Sequence, residues 1–317
     1  YELYQKLNVP ADLGESLYNL AVVNTKLGQY DTALSFYLKG IDTFRSINDQ
    51  HGVAMNEDGM ANIFAARGRY GAALSSMSDA AKIVRQTKEM TWLTVEAIGG
   101  WGDLMAQAGR GPEGRASVDE ALNVAHQIKN DASAALATNQ MGDVYFYQGD
   151  YASAHQQYDR AVEIASKTSD KETALLAKMN RAKTDLAQGH AAATIPVFRK
   201  LAQDADALGL KAVSVECSVY LAQASIATKN NAAAEQQLVL TLAKAENLGL
   251  QILQAKAQYL EATLQAQSGK KNEATIGYRE VVRILDGISK EDTSSKVLDR
   301  ADLKGIYADA QNAVAGH

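Results

Sequence analysis

Apolar side chains recur along most of the chain at spacings of three and four residues. In segments 132–148 and 151–167 they fall at i, i+3, i+4 and i+7, and the dipeptide Gly149-Asp150 separates the two runs. This spacing places apolar side chains on one face of an α-helix, whereas a half-buried strand would alternate apolar and polar residues. No segment shows a convincing strand pattern. The pattern therefore predicts an all-α protein built from pairs of amphipathic helices.

The predicted helix pairs repeat with a period of 40 residues, with one spacing of 41. Segments 25–41, 65–81 and 146–162 share a glycine, an aromatic residue two positions later, a small residue and then a large apolar one. The shared glycine position is occupied by Gly28, Gly68, Gly109, Gly149, Gly189 and Gly269, with Lys229 in the sixth unit. Repeated helix pairs stack into a solenoid in which each pair buries its apolar face against the next.

Seven such units fill residues 14–290. We interpret residues 1–13 as the end of a preceding repeat, since YELYQKL resembles the tail of a second helix. Residues 291–317 are interpreted as a linker and a C-terminal capping helix, with Val297, Leu298, Ala301, Ile306 and Ala310 on one face. We expect this helix to cover the end of the stack with its apolar face and to carry its charges toward solvent.

The segment 109–114, GRGPEG, has the G-x-G-x-x-G spacing of a dinucleotide-binding loop. Such a loop requires a strand before it and a helix after it. Here the glycines occupy the turn positions of the third unit, so we interpret the segment as a helix-to-helix turn in which Pro112 begins the second helix. Because Gly111 and Gly114 replace an aromatic residue and an alanine, we expect the third unit to be the most loosely packed.

The repeat resembles the tetratricopeptide repeat, whose pattern is W-x2-L-G-x2-Y followed by G-x-Y-x2-A-x3-F-x2-A. Residues 138–161 match it best, with signature positions at Met141, Gly142, Tyr145, Gly149, Tyr151, Ala154, Tyr158 and Ala161. The period exceeds the usual length of about 34 residues, and the closing proline is absent. Long-period forms of this kind are similar to the repeat regions of bacterial regulators and of some bacterial kinases. HEAT and armadillo repeats share the period but lack the G-x-Y-x2-A signature.

The resemblance implies a right-handed superhelical α-solenoid of about seven helix pairs plus a C-terminal capping helix. It also implies that the first helix of each pair lines a concave groove. The family's ligand-facing positions fall here on Tyr18, Asp58, Asn62, Asp103, Asn139, Asp143, Lys183 and Tyr259. Phe146 and Tyr147 directly follow Tyr145, so at least one of them should turn toward the groove or the next unit. We treat these two and the tyrosines at 18 and 259 as candidate aromatic anchors, with core packing as the alternative role.

The candidate groove positions share a chemical pattern. Asp58, Asp103 and Asp143 predict an acidic strip, and Asn62 and Asn139 carry amides suited to holding a peptide backbone. The first basic residue in this register is Lys183. We therefore expect a protein or peptide partner with a basic or amide-rich segment. The alternative is that these are ordinary polar residues of a solvated groove.

Composition narrows the remaining function classes. The chain has 317 residues, 46% of them hydrophobic, only 3 prolines and a formal net charge of -5, and no run of Lys and Arg exceeds two. The chain therefore lacks the clustered basic residues that bind nucleic acid or an anionic membrane surface. No apolar run approaches the length of a membrane span. We expect no nucleic-acid partner and no membrane insertion. The single cysteine, Cys217, is interpreted as a small core residue.

Residues with catalytic or metal-binding chemistry are scattered. The five histidines, His51, His126, His155, His190 and His317, lie in different units, and no zinc-binding, nucleophile-elbow or Walker motif is present. We expect no enzymatic activity, no cofactor and no metal.

The amino terminus has neither an initiator Met nor a signal-peptide core. We expect a cytoplasmic fragment or processed product, with an extracytoplasmic part of a membrane-anchored bacterial protein as the alternative.

The sequence therefore predicts a protein–protein interaction scaffold that binds a partner peptide or helix in its concave groove. An alternative is a regulatory or oligomerisation region that controls an upstream kinase or DNA-binding domain. In that case the uncapped N-terminal edge would be the surface for self-association.

Overall fold

The computed structural model describes residues 9–291 and 296–316, and over these ranges the chain is helical with no strand. Fourteen helices form seven consecutive pairs: α1 Pro10–Lys26 and α2 Tyr30–Ser46; α3 Gln50–Ala66 and α4 Tyr70–Thr87; α5 Trp92–Gln107 and α6 Gly111–Gln127; α7 Asp131–Gln148 and α8 Tyr151–Ala165; α9 Lys171–Ala187 and α10 Ala191–Ala207; α11 Lys211–Ala227 and α12 Asn231–Leu248; α13 Gln251–Gln267 and α14 Lys271–Ser289. A short 3-10 helix, Val297–Asp299, precedes the terminal helix α15, Ala301–Ala315. The predicted all-α superhelical stack of seven pairs and a terminal helix is confirmed.

The first helix begins earlier than the sequence pattern indicates. Pro10 is the first residue of α1, and proline suits that position because its fixed backbone angle is helical and its missing N–H has no partner there. Residues 10–13 therefore belong to the first helix pair and not to a preceding repeat. Residues 1–8, which we assigned to the end of an earlier repeat, lie outside the described part of the chain.

The repeated glycine ends the first helix of each pair. Gly28, Gly68, Gly109, Gly149, Gly189 and Gly269 all have φ between 74° and 92°, in the left-handed region. Glycine adopts this conformation without a steric penalty, so it reverses the chain after a helix. In the sixth unit Lys229 takes the same conformation with φ of 63°. The glycine of the repeat is thus a helix-terminating residue, and GRGPEG is the turn between α5 and α6.

The third unit is packed more closely than we expected. A Cβ atom at Gly114 would lie 2.1 Å from the carbonyl oxygen of Gly102 on the facing helix. The two glycines therefore bring the backbones of α5 and α6 into direct contact. The expectation of a loose third unit was wrong, because the missing side chains are replaced by closer helix approach and leave no gap.

Distant units also pack against each other. The Lys26 ammonium lies 2.6 Å from a Glu172 carboxylate oxygen, and the side chain of Leu248 lies against the backbone of Gly28. The backbone N–H of Gly71 donates to a carboxylate oxygen of Glu291 at 2.7 Å. The rotation between successive pairs thus accumulates until the fifth, sixth and seventh units reach the first and second. A solenoid in which each pair contacts only its neighbours does not describe this molecule.

The terminal helix α15 does more than cover the last repeat. It packs on α14, and it also contacts α7 and α13, which are first helices of their pairs. Val297, Leu303 and Ala310 are fully buried in a core cluster that includes residues of α3, α4 and α5. The terminal segment therefore crosses the concave side of the superhelix. Residues 292–295 of the predicted linker lie outside the described residues.

Candidate functional site in the concave groove

The concave side contains a cavity of about 580 Å³, which we call the central cavity. Its wall is formed mainly by the first helices α1, α3, α5, α7, α9 and α11. Because these helices recur at one repeat period, equivalent positions of successive units face the same space. The polar and aromatic residues on the wall include Tyr18, Asp58, Asn62, Glu96, Asp103, Asn139, Gln140, Asp143, Tyr147, Asn180, Lys183 and Glu216.

Eight of the ten predicted groove residues lie on this wall: Tyr18, Asp58, Asn62, Asp103, Asn139, Asp143, Tyr147 and Lys183. The other two, Phe146 and Tyr259, line a smaller cavity of about 320 Å³ between α15 and the first helices of units four to seven. We call this the aromatic pocket. Lys183 lies on the wall of both cavities. The structure thus places all ten residues in the groove, while their roles in binding stay a prediction.

A buried polar network occupies the middle of the groove. The carboxylate of Asp143 accepts hydrogen bonds from Tyr158 Oη at 2.8 Å and from the side-chain amides of Asn139 and Asn180 at 3.2 Å each. The same Asn180 amide also donates to Asn139 Oδ1, and Lys183 Nζ donates to Asn180 Oδ1 at 3.1 Å. The amide of Asn139 is therefore engaged within the protein, although the sequence suggested that it could hold a peptide backbone.

Lys183 is buried and paired. Its ammonium lies 2.8 Å from the Glu216 carboxylate and 5.3 Å from the ring centroids of Phe146 and Tyr220. Burial is the largest single influence and disfavours the charged form, but Glu216, Tyr220, Tyr147 and Asp143 together outweigh it and raise the pKa of Lys183 well above its usual value. The ammonium therefore stays charged and holds the network together.

Four carboxylates of the central cavity have no cationic partner. Among the described residues, no Lys, Arg or His nitrogen lies within 4.0 Å of Asp58, Glu96, Asp103 or Asp143. Burial raises the pKa of Asp58 to about 7 and that of Asp103 to about 6. The pKa of Glu96 is raised to about 8 by burial and then by the charge of Asp58, and that of Asp143 is raised by burial and then by Asp103. The acidic strip is thus sheltered from solvent and partly protonated at neutral pH.

Two polar atoms on the same wall have no hydrogen-bond partner. They are Gln140 Oε1 and Asp103 Oδ1, and both are shielded from solvent. The Gln140 side chain is 7% exposed, and a buried acceptor without a donor costs free energy. The wall therefore carries carboxylates without a cationic partner, and these two acceptors are buried within it.

The terminal segment closes one side of the groove through a buried ion cluster. Asp302 lies 2.5 Å from Lys256 Nζ and 2.9 Å from an Arg300 nitrogen. The Arg300 guanidinium also donates to Tyr70 Oη and stacks 4.0 Å from the centroid of the Tyr147 ring. The two cations lower the pKa of Asp302 despite its burial. This cluster fixes the terminal helix across the groove.

The four aromatic candidates have different environments. Phe146 is 2% exposed and packs edge-on against Tyr147. Tyr147 is half-buried, with one face covered by Arg300 and the rest on the wall of the central cavity. Tyr18 is half-buried beside Tyr37, and Tyr259 donates from its hydroxyl to Asp309 of α15 at 2.8 Å. Tyr18 and Tyr147 are therefore the aromatic rings available to a ligand in the central cavity.

Sequence reasoning missed Glu96, Gln140, Asn180 and Glu216. Glu96 precedes Asp103 by seven residues, which places both on one face of α5. Glu216 stands in the same relation to residue 223 of α11, which lies one 40-residue period after Lys183. A search two helical turns before each ligand-facing position, on the same helix face, would have found these two acids. Gln140 and Asn180 lie on other faces of α7 and α9, so only the packing of the units against one another brings their side chains to the cavity.

Two other features are absent from the described residues. No group of three or more His, Cys, Asp and Glu side chains there is arranged to hold a metal ion. None of the described helices has the length and apolar character needed to cross a membrane. Cys217 is fully buried, and burial raises the pKa of its thiol.

The stacked helix pairs and the groove that they enclose define a superhelical repeat protein. The family model of the tetratricopeptide repeat matches residues 12–86 and 93–167, which are the first four helix pairs. Residues 12–86 and 93–167 are therefore tetratricopeptide repeats, as the G-x-Y-x2-A signature indicated. No curated protein sequence matches the chain.

Solved structures share this fold at low sequence identity. A Rap protein complexed with Competence and Sporulation Factor is 14% identical with a TM-score of 0.67, covering 86% of this chain and 75% of that one. The apo form of RapI is 14% identical with a TM-score of 0.59, covering 87% and 99%. The Rap conjugation gene regulator of the plasmid pLS20, in complex with the Phr* peptide, is 11% identical with a TM-score of 0.56, covering 96% of each chain.

Proposed function

We propose that this protein is an interaction scaffold that binds a partner peptide or helix in its concave groove, at the central cavity. One observation carries the proposal. A cavity of about 580 Å³ is lined by carboxylates without a cationic partner and by two tyrosine rings. Ligand sites in proteins have this combination of volume and convergent polar groups. The activity proposed is binding without catalysis, in keeping with a repeat fold that generally serves as a scaffold.

The partner segment is proposed to be basic or amide-rich. The acids at Asp58, Asp103 and Asp143 face the groove without cationic partners, and Asn62 on the same wall is exposed. Partly exposed ion pairs contribute only about 0.2–1 kcal/mol each, so they select the partner more than they hold it. An aromatic anchor contributes roughly 2 kcal/mol or more. Tyr18 and Tyr147 are the residues proposed for that role.

Two structures with this fold support a peptide as the ligand class. One Rap protein was solved with Competence and Sporulation Factor and another with the Phr* peptide. At 14% and 11% identity these likenesses concern the fold, and the chemistry of the partner is argued from the residues of this chain.

The proposal is tested by selecting binders from a displayed library of random decapeptides. We expect the selected peptides to be enriched in Lys, Arg, Asn and Gln, and Tyr18→Ala to weaken their binding at least tenfold without a matching loss of melting temperature. Val239→Ala, at a 63% exposed position on α12, is the matched control and should bind like the wild type. Selection of acidic peptides, or equal binding by Tyr18→Ala, would contradict the proposal.

Self-association is a second candidate function. Val23, Leu27 and Leu38, on or next to the first two helices, are 54%, 46% and 52% exposed. Apolar side chains that stay exposed on the first unit favour contact with another chain. Light scattering of the protein and of Leu38→Glu tests this candidate. A dimer that dissociates in the variant supports it, and a wild-type monomer at high concentration contradicts it.

A further inference from the structure

We propose that the aromatic pocket binds one uncharged aromatic or branched aliphatic side chain of the peptide that occupies the central cavity. This inference rests on the proposed binding function and adds a second site for the same partner. The pocket lies between α15 and the first helices of units four to seven. Its volume of about 320 Å³ is roughly twice that of an apolar cavity, about 150 Å³, that binds benzene. It therefore has room for a side chain as large as that of tryptophan.

The pocket is a gap between helices that no protein side chain fills. Ala301, Gly305 and Asp309 follow one another at every fourth position, so they lie on the face of α15 that lines the pocket. A Cβ atom built at Gly305 meets nothing within 4 Å. Another face of α15 is packed in the core through Leu303 and Ala310. These core contacts fix the position of the helix, and the gap on its other side persists.

Apolar and aromatic residues form most of the pocket wall. Tyr151, Tyr259 and Ile306 are half-buried, and Leu186 and Leu260 each keep 8% of their surface exposed. An apolar side chain placed among them would remove these surfaces from water. An aromatic ring would also gain favourable edge or offset contacts with the tyrosine rings. The wall therefore favours an apolar group.

The charged groups on the wall are already paired within the protein. They form three pairs: Lys183 with Glu216, Lys256 with Asp302, and Asp309 with the hydroxyl of Tyr259. A charged ligand would compete for these partners, and separating a buried ion pair is costly. An uncharged side chain leaves all three pairs in place. The pocket therefore selects against charge, whereas the central cavity favours a basic segment.

The pocket adjoins the central cavity, so one peptide can reach both. Lys183 lies on the wall of both cavities. Phe146 lines the pocket and Tyr147 lines the central cavity, and the centroids of these two rings are 5.5 Å apart. Gln223 and Gly305 line the pocket and are exposed to solvent, so the pocket has an open side. The partner should therefore carry its apolar residue a few positions from its basic residues.

The experiment fills the pocket with a side chain of the protein itself. Gly305→Leu places a leucine in the gap, and the variant should melt no lower than the wild type because leucine favours a helix more than glycine does. Gly287→Leu is the matched control, since a Cβ at that exposed position of α14 also meets nothing within 4 Å. Ala187→Leu, at an exposed position of the pocket wall on α9, replaces Gly305→Leu if that variant does not fold.

The probes are decapeptides selected on the wild type from the displayed library, each also prepared with its most enriched apolar residue replaced by alanine. With the wild type and with Gly287→Leu, the alanine peptide should bind at least tenfold more weakly than its parent. With Gly305→Leu, the parent should already bind at least tenfold more weakly, and the alanine peptide should bind no worse than the parent. Such non-additivity is expected when the peptide side chain and residue 305 compete for the same space.

The outcomes separate this inference from the proposed scaffold function. Selected peptides without a shared apolar residue, wild-type affinity in Gly305→Leu, or additive losses overturn the inference and leave the scaffold function standing. Failure of every library peptide to bind overturns the scaffold function and the inference with it. Indole, titrated by NMR, then tests the pocket alone: binding to the wild type that is lost in Gly305→Leu would identify a free small molecule as its ligand.

Discussion

The carboxylates of the central cavity are the residues whose environment departs most from that of an ordinary helix surface. Asp58 and Glu96 are half-buried, and neither has a cation within 4.0 Å among the described residues. Burial without a partner disfavours the charged form of an acid. At the residue scale, these acids therefore store unfavourable free energy in the folded protein at neutral and alkaline pH. A cationic ligand would relieve it.

Stability should decrease as pH rises from about 4 to about 8. The pKa values of Asp58 and Glu96 in the folded protein are about 7 and 8, whereas unfolded acids titrate near 4. In this window the folded state holds protons that the unfolded chain has lost, so the free energy of unfolding falls with rising pH. We expect a higher melting temperature at pH 5 than at pH 9, a smaller difference in E96Q, and an unchanged one in E235Q, which removes an exposed acid from α12. A melting temperature that rises across this window would count against the described burial.

A second residue-scale prediction concerns the helix terminus at Lys229. This lysine has a φ of 63°, where the Cβ atom of a non-glycine residue costs roughly 1–2 kcal/mol. Lys229→Gly restores the residue found in the other units, and we expect it to stabilise the protein by about 0.5–1 kcal/mol in chemical denaturation. Lys244→Gly, at an exposed position within α12, should destabilise by a similar amount. If both variants destabilise, the left-handed conformation at 229 is not a source of strain.

At the scale of helices, the close packing of α5 against α6 differs from the loose packing that the sequence suggested. Gly111 and Gly114 fill positions where other units have an aromatic residue and alanine, which suggested missing contacts. The structure shows that helices separate or approach until their surfaces touch, so smaller side chains bring backbones together. Gly102 and Gly114 face each other at that contact. The G-x-G-x-x-G string is thus explained by a turn and by helix packing.

Gly114→Ala should destabilise the third unit. Its Cβ would lie 2.1 Å from the Gly102 carbonyl oxygen, so backbone must move, at a cost of about 1–3 kcal/mol. The control is Gly287→Ala on α14, where a Cβ meets nothing within 4 Å and alanine should stabilise by about 0.5–1 kcal/mol. Chemical denaturation of both variants measures the difference. Equal stabilities would show that α5 and α6 have room between them.

At the scale of the whole molecule, long-range contacts turn the stack into a closed superhelix. Lys26 reaches Glu172, Leu248 lies against Gly28, and the terminal segment binds Tyr70 and Tyr147 through Arg300. Units that are far apart in sequence therefore stabilise one another. The terminal helix also forms one wall of the aromatic pocket.

Asp302→Asn should release the terminal segment. The substitution leaves Arg300 and Lys256 buried without an anion, and breaking a buried ion pair in this way costs about 3–5 kcal/mol. We expect a comparable loss of stability in chemical denaturation and faster proteolysis after residue 291. Asp299→Asn, at an exposed position of the same segment, is the matched control. Wild-type stability in Asp302→Asn would show that the ion cluster does not attach the helix.

The repeat pattern by itself determined the helix pairs, their turns and the face of each first helix. These features depend on hydrogen bonds and side-chain spacing within a few residues. The family resemblance implied the ligand-facing positions, and the repeat register then placed Asp58, Asp103 and Tyr18 on one wall. The tertiary structure determined how buried those residues are and which groups they contact. Whether Asp143 is solvated or buried, which partner Asn139 has and where α15 lies depend on rotation summed over seven pairs. Desolvation and long-range packing depend on contacts between residues that are far apart in the sequence. A pattern within a few residues does not predict those contacts.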